Sequence, residues 1–152
     1  GAIAKGYVVG EAIKVLKSNG ITSAIVVAGG DVYALGKNRS GFWKVGIKNP
    51  RGDEPLGYLE AEDRAVMGSG DYERFFIKDN KRYHHIFDPR TGYPAQKCQG
   101  TFVIYPDPML ADAWATALFV MGPEAGLKII EGIPDMDSLV ITANGDIVKS
   151  IR

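Results

Sequence analysis

The segment Pro108–Met121 constrains the fold more than any other part of the sequence, because nearly all of its side chains are apolar. Asp107 is a favoured N-cap residue, Pro108 suits the first helical position, and Gly122-Pro123 ends a helix. The segment therefore predicts a helix that is apolar on nearly every side. Such a helix is buried in a folded protein.

Asp112 is the only charged residue of this helix, and Thr116 follows one turn later on the same side. Burying an unpaired carboxylate is costly, so something must compensate it. Two interpretations are open. Backbone N–H groups or a basic side chain satisfy the carboxylate, or the carboxylate and the hydroxyl hold a hard cation such as Mg²⁺, which prefers oxygen ligands.

The rest of the chain predicts two further helices and a set of strands. Apolar spacing predicts a helix over residues 2–17, with Ile3, Tyr7, Val8, Ile13 and Leu16 on its buried stripe. A shorter helix is predicted over 123–131. Strands are predicted over 23–27, 32–35, 42–47, 55–62, 64–67, 72–77, 82–87, 101–105, 138–142 and 146–151.

Several strands are joined by short turns, which favours antiparallel pairing. Charged residues 78–81 and the pair Asn144-Gly145 are typical of hairpin turns, whereas 88–99 reads as a turn-rich loop. Helices at both ends around such strands predict an α+β fold, a mostly antiparallel sheet with flanking helices. Residues 1–152 show no linker or internal repeat and are expected to form a single unit.

The charge balance excludes some partners and site types. Lys and Arg number 18, Asp and Glu also number 18, and the formal net charge is zero. A nucleic-acid partner is therefore not expected, since phosphate binding needs a basic surplus. The single cysteine, Cys98, excludes an internal disulfide and a multi-cysteine metal site.

Glycine and histidine mark further candidate positions. The glycine-rich segments 1–6, 29–31 and 68–71 are either plain turns or places where backbone N–H groups approach a phosphate. His84 and His85 are the only histidines. Adjacent residues on a strand point to opposite faces, so at most one of the two enters a given site.

Five short motifs follow one another along the chain. They are residues 1–7 (GAIAKGY), 29–31 (GGD), 69–72 (SGDY), 85–92 (HIFDPRTG) and 111–117 (ADAWATA). Together they resemble the ApbE family of flavin transferases over essentially the whole chain. Family members are about twice this length, so the resemblance implies the C-terminal half of the family's domain, incomplete without an N-terminal half. One departure is Gly10, where the family usually has Asp.

The resemblance implies Mg²⁺-dependent transfer of FMN from FAD to a Thr hydroxyl of an acceptor protein, with release of AMP. It implies that the Ala2 carbonyl, Asp112 and Thr116 bind the metal and that Lys5 and Ile86 contact FAD.

His85 matches a histidine thought to be needed for transfer. We expect it to accept the Thr proton, with Asp88 as the alternative.

Other interpretations stay open at this point. Some ApbE relatives hydrolyse FAD to FMN and AMP instead of transferring FMN. A half-length chain is also compatible with a non-catalytic flavin- or nucleotide-binding module or an assembly subunit. An N-terminal half on a separate chain or on a removed segment is a further expectation. Many relatives are periplasmic or membrane-anchored, but no such signal lies in this sequence, so the compartment is left open.

Overall fold

The computed structural model describes residues 2–150. Gly1 and Ile151, the first residue of the first glycine-rich segment and the last residue of the last predicted strand, lie outside the described residues. Three helices are present: α1 (Ala4–Ser18), α2 (Pro108–Met121) and α3 (Pro123–Ile130). The bounds of α2 confirm those predicted from its capping residues.

Twelve strands are present in the described part of the chain: β1 (Ala24–Ala28), β2 (Asp31–Leu35), β3 (Trp43–Ile47), β4 (Gly57–Ala61), β5 (Arg64–Gly70), β6 (Phe75–Lys78), β7 (Lys81–His84), β8 (Phe87–Asp88), β9 (Tyr93–Pro94), β10 (Cys98–Tyr105), β11 (Asp137–Thr142) and β12 (Ile147–Ser150). Six of them form one sheet in the order β1-β2-β5-β10-β11-β12. All neighbours in it are antiparallel. The predicted α+β class with a mostly antiparallel sheet is therefore confirmed.

The sheet separates two apolar cores, because alternate residues of its strands face opposite sides. On one face Val103 of β10 packs in the core that also contains Leu118 and Phe119 of α2. On the other face Phe102 and Ile104 pack in a second core with residues of the β3–β4 hairpin. The fold thus has three layers: the helices, the six-stranded sheet and the β3–β4 hairpin.

The buried stripe of α1 differs from the predicted one. Ile3, Tyr7 and Val8 are exposed, whereas Gly6 and Val9 are buried along with Ile13. The reason is the close approach of α1 to α2: a Cβ atom at Gly6 would lie only 2.2 Å from the carbonyl oxygen of Pro108. A stripe inferred from large apolar side chains misses a contact face built around glycine.

The extents of several strands also differ from the sequence prediction. The predicted strand over 64–67 continues to Gly70, because residues 65–70 pair with 100–105 of β10. The hairpin strands are shorter than predicted, with β6 starting at Phe75 and β7 ending at His84. Asp79 and Asn80 at its tip have φ values of 50° and 57°, as a two-residue hairpin turn requires.

The loop predicted over 88–99 contains a short strand pair, β8–β9, joined through a turn. Its geometry is local: the Thr91 and Gly92 N–H groups both donate to the Asp88 carbonyl. Among residues 2–150, no helix combines the length and apolar character needed to cross a membrane.

Candidate functional site

A cleft of about 1100 Å³ opens between the N-terminal end of α1, the β1–β2 turn and the loops at the ends of β3, β5 and β7. Six of the seven residues predicted from the sequence line it: Ala2, Lys5, His85, Ile86, Asp112 and Thr116. These positions are separated by as much as 114 residues along the chain (116 − 2), and the fold brings them to one place. Asp88 is the exception.

Asp112 lies at the floor of the cleft with only 2% of its surface exposed. The Gly6 N–H donates a hydrogen bond to Asp112 Oδ2 at 2.9 Å. Burial raises the pKa of the Asp112 carboxyl, and this Gly6 hydrogen bond opposes the effect. A backbone N–H group thus satisfies part of the carboxylate, as one of the two interpretations expected, while Asp112 still borders the cleft.

Thr116 lies one helical turn from Asp112 and borders the same cleft. Its Oγ1 is 3.0 Å from the Ser69 Oγ of β5, a hydrogen bond in which either hydroxyl can donate. Helix α2 therefore presents a carboxylate and a hydroxyl together, and β5 adds a second hydroxyl beside them.

Lys5 enters the cleft beside a second buried carboxylate that was not among the predicted site residues. Lys5 Nζ lies 2.5 Å from Asp31 Oδ2, and Asp31 is 1% exposed. The Gly68 N–H of β5 donates to Asp31 Oδ1 at 2.7 Å. Asp31 thus fixes the Lys5 ammonium against the sheet. The sequence signal for Asp31 is the 29–31 motif, whose glycines predict a turn or a phosphate contact and leave the role of the carboxylate open.

The two histidines have different surroundings, as expected for adjacent residues at a strand. His84 is buried: its Nε2 lies 2.8 Å from the Ala95 carbonyl oxygen, and its Nδ1 accepts from the Ile86 N–H at 3.3 Å. Nε2 must then carry the proton, which makes His84 a neutral structural residue. His85 follows the end of β7, is exposed and lines the cleft.

Asp88 does not line the cleft, and its carboxylate is paired with its neighbour Arg90. The Arg90 guanidinium donates to Asp88 Oδ1 at 2.9 Å and to Oδ2 at 2.6 Å. These hydrogen bonds hold the pKa of the Asp88 carboxyl at about 2. A carboxylate with so low a pKa is a weak proton acceptor, which counts against Asp88 as the alternative base.

We expect His84 to make the stability of the chain fall in mild acid. Burial lowers the pKa of His84 in the folded state below the value of an unfolded histidine, about 6.5. As the pH drops below that value, the unfolded chain takes up a proton that the folded chain resists, and folding is weakened. Urea unfolding between pH 7.5 and pH 5 should show this loss, and His84→Gln should reduce it.

The control for this measurement is His85→Gln, which changes the exposed neighbour and leaves His84 in place. It should keep the acid dependence of the wild type. Equal pH profiles for wild type and His84→Gln would show that other groups cause the loss of stability.

The predicted metal ligands in the cleft are all oxygen atoms. No group of three or more His, Cys, Asp or Glu side chains placed to hold a metal ion occurs within residues 2–150. The predicted ligand set does not depend on such a group of side chains, because it combines a single carboxylate with a hydroxyl and a backbone carbonyl. Such a set suits Mg²⁺, which takes one or two protein carboxylates and completes its shell with water and phosphate oxygens.

Comparison with known proteins gives one consistent family. The model of the ApbE family matches residues 1–140. A curated FAD:protein FMN transferase of Treponema pallidum is 40% identical over 170 residues, covering 100% of this chain and 47% of the relative. Another, from Klebsiella pneumoniae, is 38% identical over 153 residues, covering 99% of this chain and 47% of the relative.

Solved structures agree with the sequence comparisons. An ApbE protein of Thermotoga maritima superposes with a TM-score of 0.90 at 39% identity, covering 98% of this chain and 50% of that one. The flavin transferase ApbE of Vibrio cholerae gives a TM-score of 0.82 at 32% identity, covering 98% and 48%. The chain thus spans about half the length of its relatives. In them the matched region belongs to one longer chain, so a separate N-terminal chain has no support.

Proposed function

The chain belongs to the ApbE family, and from that premise we propose that it forms the catalytic side of an FAD:protein FMN transferase. The reaction moves FMN from FAD to a Thr hydroxyl of an acceptor protein and releases AMP. One observation carries the proposal: Lys5, His85 and Asp112, which are far apart in sequence, border a single cleft. A cleft of about 1100 Å³ has room for a ligand of dinucleotide size.

The donor set fits Mg²⁺. Asp112, Thr116 and the Ala2 carbonyl would hold the ion, and each of these residues borders the cleft. When bound, Mg²⁺ supplies positive charge that offsets the charge of phosphate oxygens. The Gly6 N–H keeps the Asp112 carboxylate in one orientation, so this ligand is placed before any ion binds.

Lys5 supplies a fixed positive charge for the phosphates of FAD. Its ammonium is anchored on Asp31, and its side chain is still 45% exposed toward the cleft. Lysine acts as a compact point charge, and three N–H donors allow it to bind Asp31 and a phosphate oxygen together.

His85 is the group we assign to proton removal. One of its ring nitrogens takes the proton from the acceptor Thr, whose Oγ forms a bond to the phosphorus of the FMN portion. The bond from that phosphorus to the bridging oxygen of the pyrophosphate breaks, and AMP leaves with that oxygen. The same chemistry with water in place of Thr gives FAD hydrolysis, so the acceptor decides between the two activities.

The test follows AMP release and flavin fluorescence on an acceptor protein, with FAD and Mg²⁺ present. We expect His85→Gln to reduce transfer by about a hundredfold, the usual contribution of a general base, with FAD binding retained. If Asp88→Asn lost transfer and His85→Gln kept it, Asp88 would be the residue that accepts the Thr proton. Bound flavin with no AMP from the wild type would favour the non-catalytic module, and AMP without labelled acceptor would favour the hydrolase.

A further inference from the structure

We propose that Asp71 is a positioning residue that joins two walls of the cleft and thereby sets the affinity for FAD. The inference rests on the proposed function. One wall is the loop 48–55 between β3 and β4, and the other is the segment 72–74 after β5. Both walls contribute residues to the cleft lining, whereas Asp71 and Arg51 are absent from it.

The two walls are connected by an ion pair between Arg51 and Asp71 that contains two hydrogen bonds. Arg51 Nη1 donates to Asp71 Oδ1 at 2.8 Å, and Arg51 Nη2 donates to Oδ2 at 2.5 Å. The Asp71 side chain is only 9% exposed. Its own backbone is fixed, because the Asp71 N–H donates to the Gln99 carbonyl of β10 at 3.1 Å. A paired guanidinium and carboxylate in this geometry restrict direction as well as distance.

Asp71 also contacts the β6–β7 hairpin. Arg82 Nε lies 3.7 Å from Asp71 Oδ2, and Arg82 Nη1 donates to the Asp71 carbonyl at 3.4 Å. Strand β7 leads directly to His85, so the strand that precedes this residue is tied to the same carboxylate. One side chain thus connects the loop 48–55, the sheet and the hairpin.

A second contact supports the same wall. Tyr72 packs over Gly70, where a Cβ atom would come within 2.2 Å of its ring, and Lys48 Nζ lies 5.2 Å from the Tyr72 ring centroid. Pro50 lies 3.6 Å from where a Cβ atom of Gly100 would be. The loop therefore rests on Tyr72 and on a glycine of β10.

Little else fixes this loop. Among residues 2–150, its remaining hydrogen bonds stay within the β3–β4 hairpin: Arg51 N–H to the Asn49 side chain, Arg51 to the Pro50 carbonyl, and Leu56 N–H to the Ile47 carbonyl. Asn49, Gly52 and Asp53 of the loop line the cleft. Without Asp71, the loop would keep only its contacts with Tyr72 and Gly100, so more of it would have to be ordered when ligand binds, and that ordering lowers affinity.

The experiment is a double-mutant cycle of Asp71→Asn and Arg51→Ala, with FAD binding and steady-state kinetics measured for the full chain. Each single variant should weaken FAD binding and raise KM for FAD by about tenfold, with kcat changed far less. The double variant should bind FAD no more weakly than Asp71→Asn alone, because both substitutions remove the contact between Arg51 and Asp71. Arg51 is exposed, so its variant will fold even if Asp71→Asn does not.

The matched control is Glu62→Gln, which removes the surface ion pair of Glu62 with Lys37 at 3.3 Å, away from the cleft. It should leave FAD affinity within about twofold. Hydrogen exchange of amides 48–56 supplies a readout that needs no flavin, and it should be faster in Asp71→Asn and unchanged in Glu62→Gln.

The outcomes separate this inference from the proposed function. Wild-type FAD affinity in a folded Arg51→Ala or Asp71→Asn variant would overturn the positioning role. So would multiplicative losses in the double variant. Wild-type chain that binds no FAD would overturn the proposed function. In that case, unchanged hydrogen exchange of amides 48–56 in Asp71→Asn would also show that Asp71 does not connect the two walls.

Discussion

Replacing Asp112 with Asn is expected to abolish the Mg²⁺-dependent release of AMP from FAD that we propose for this chain, while leaving the fold intact. Asn has nearly the same shape, and its amide oxygen can accept the hydrogen bond that the Gly6 N–H donates to Asp112. The substitution removes the negative charge that would hold the ion and changes little else. A loss of at least about a hundredfold in AMP release, measured across a Mg²⁺ titration, is the expected result.

Asp112→Ala is the companion variant, and it separates charge from structure. It too should lose activity, but it leaves the buried Gly6 N–H without an acceptor and should lower the free energy of unfolding by about 1–3 kcal/mol. Full AMP release by either purified variant would show that Asp112 is not a metal ligand. Equal unfolding free energies for the two would show that the Gly6 hydrogen bond contributes nothing.

Replacing Gly6 with Ala is expected to destabilise the chain strongly. The added methyl group would lie 2.2 Å from the Pro108 carbonyl oxygen and 2.8 Å from the Cα of Met109, both backbone atoms of α2. Backbone cannot rotate aside as a side chain can, so α1 and α2 must separate. We expect a loss of about 3 kcal/mol or more in the free energy of unfolding and a fall of roughly 6–12 °C in Tm.

Gly10→Ala is the control, one turn further along the same helix. Its methyl group would meet only Pro108 Cγ at 3.3 Å, a side-chain atom. Alanine favours the helix over glycine by about 1 kcal/mol, so this variant should be neutral or slightly stabilised. Similar Tm values for Gly6→Ala and Gly10→Ala, measured by thermal unfolding, would contradict the close-contact argument.

The parts of the fold that the sequence predicts well are those that local chemistry determines. Helix α2 has the predicted bounds because Asp107 Oδ1 accepts from the Leu110 N–H at 3.0 Å and Gly122 adopts φ of 82°. Both features involve residues within a few positions of the helix end. The turn at Asp79 and Asn80 is likewise local.

The parts that could not be predicted depend on partners far along the chain. Residues 68–70 have the composition of a turn, yet they continue β5 because β10, some thirty residues later, offers its hydrogen-bonding groups to them. The buried face of α1 depends on α2, which begins a hundred residues further on. No pattern within α1 itself distinguishes the face that α2 will contact.

The candidate site divides in the same way. Asp112 and Thr116 could be paired from helical spacing alone, and both border the cleft. The partners of Lys5 and Asp71 could not, because Asp31 and Arg51 come close only through the packing of separate loops and strands. Ion pairs of this kind carry no sequence spacing by which to recognise them.

The hydrogen bond from Gly6 to Asp112 restricts which residues position 6 can hold. Any residue except proline supplies a backbone N–H at position 6, but only glycine brings that N–H close enough to the carboxylate, because nothing larger than hydrogen fits against α2. A substitution at position 6 would therefore disturb both the packing of α1 against α2 and the orientation of the Asp112 carboxylate. Position 10, one turn further along α1, is not restricted in this way, because a Cβ atom there would meet only the Pro108 Cγ atom, at 3.3 Å.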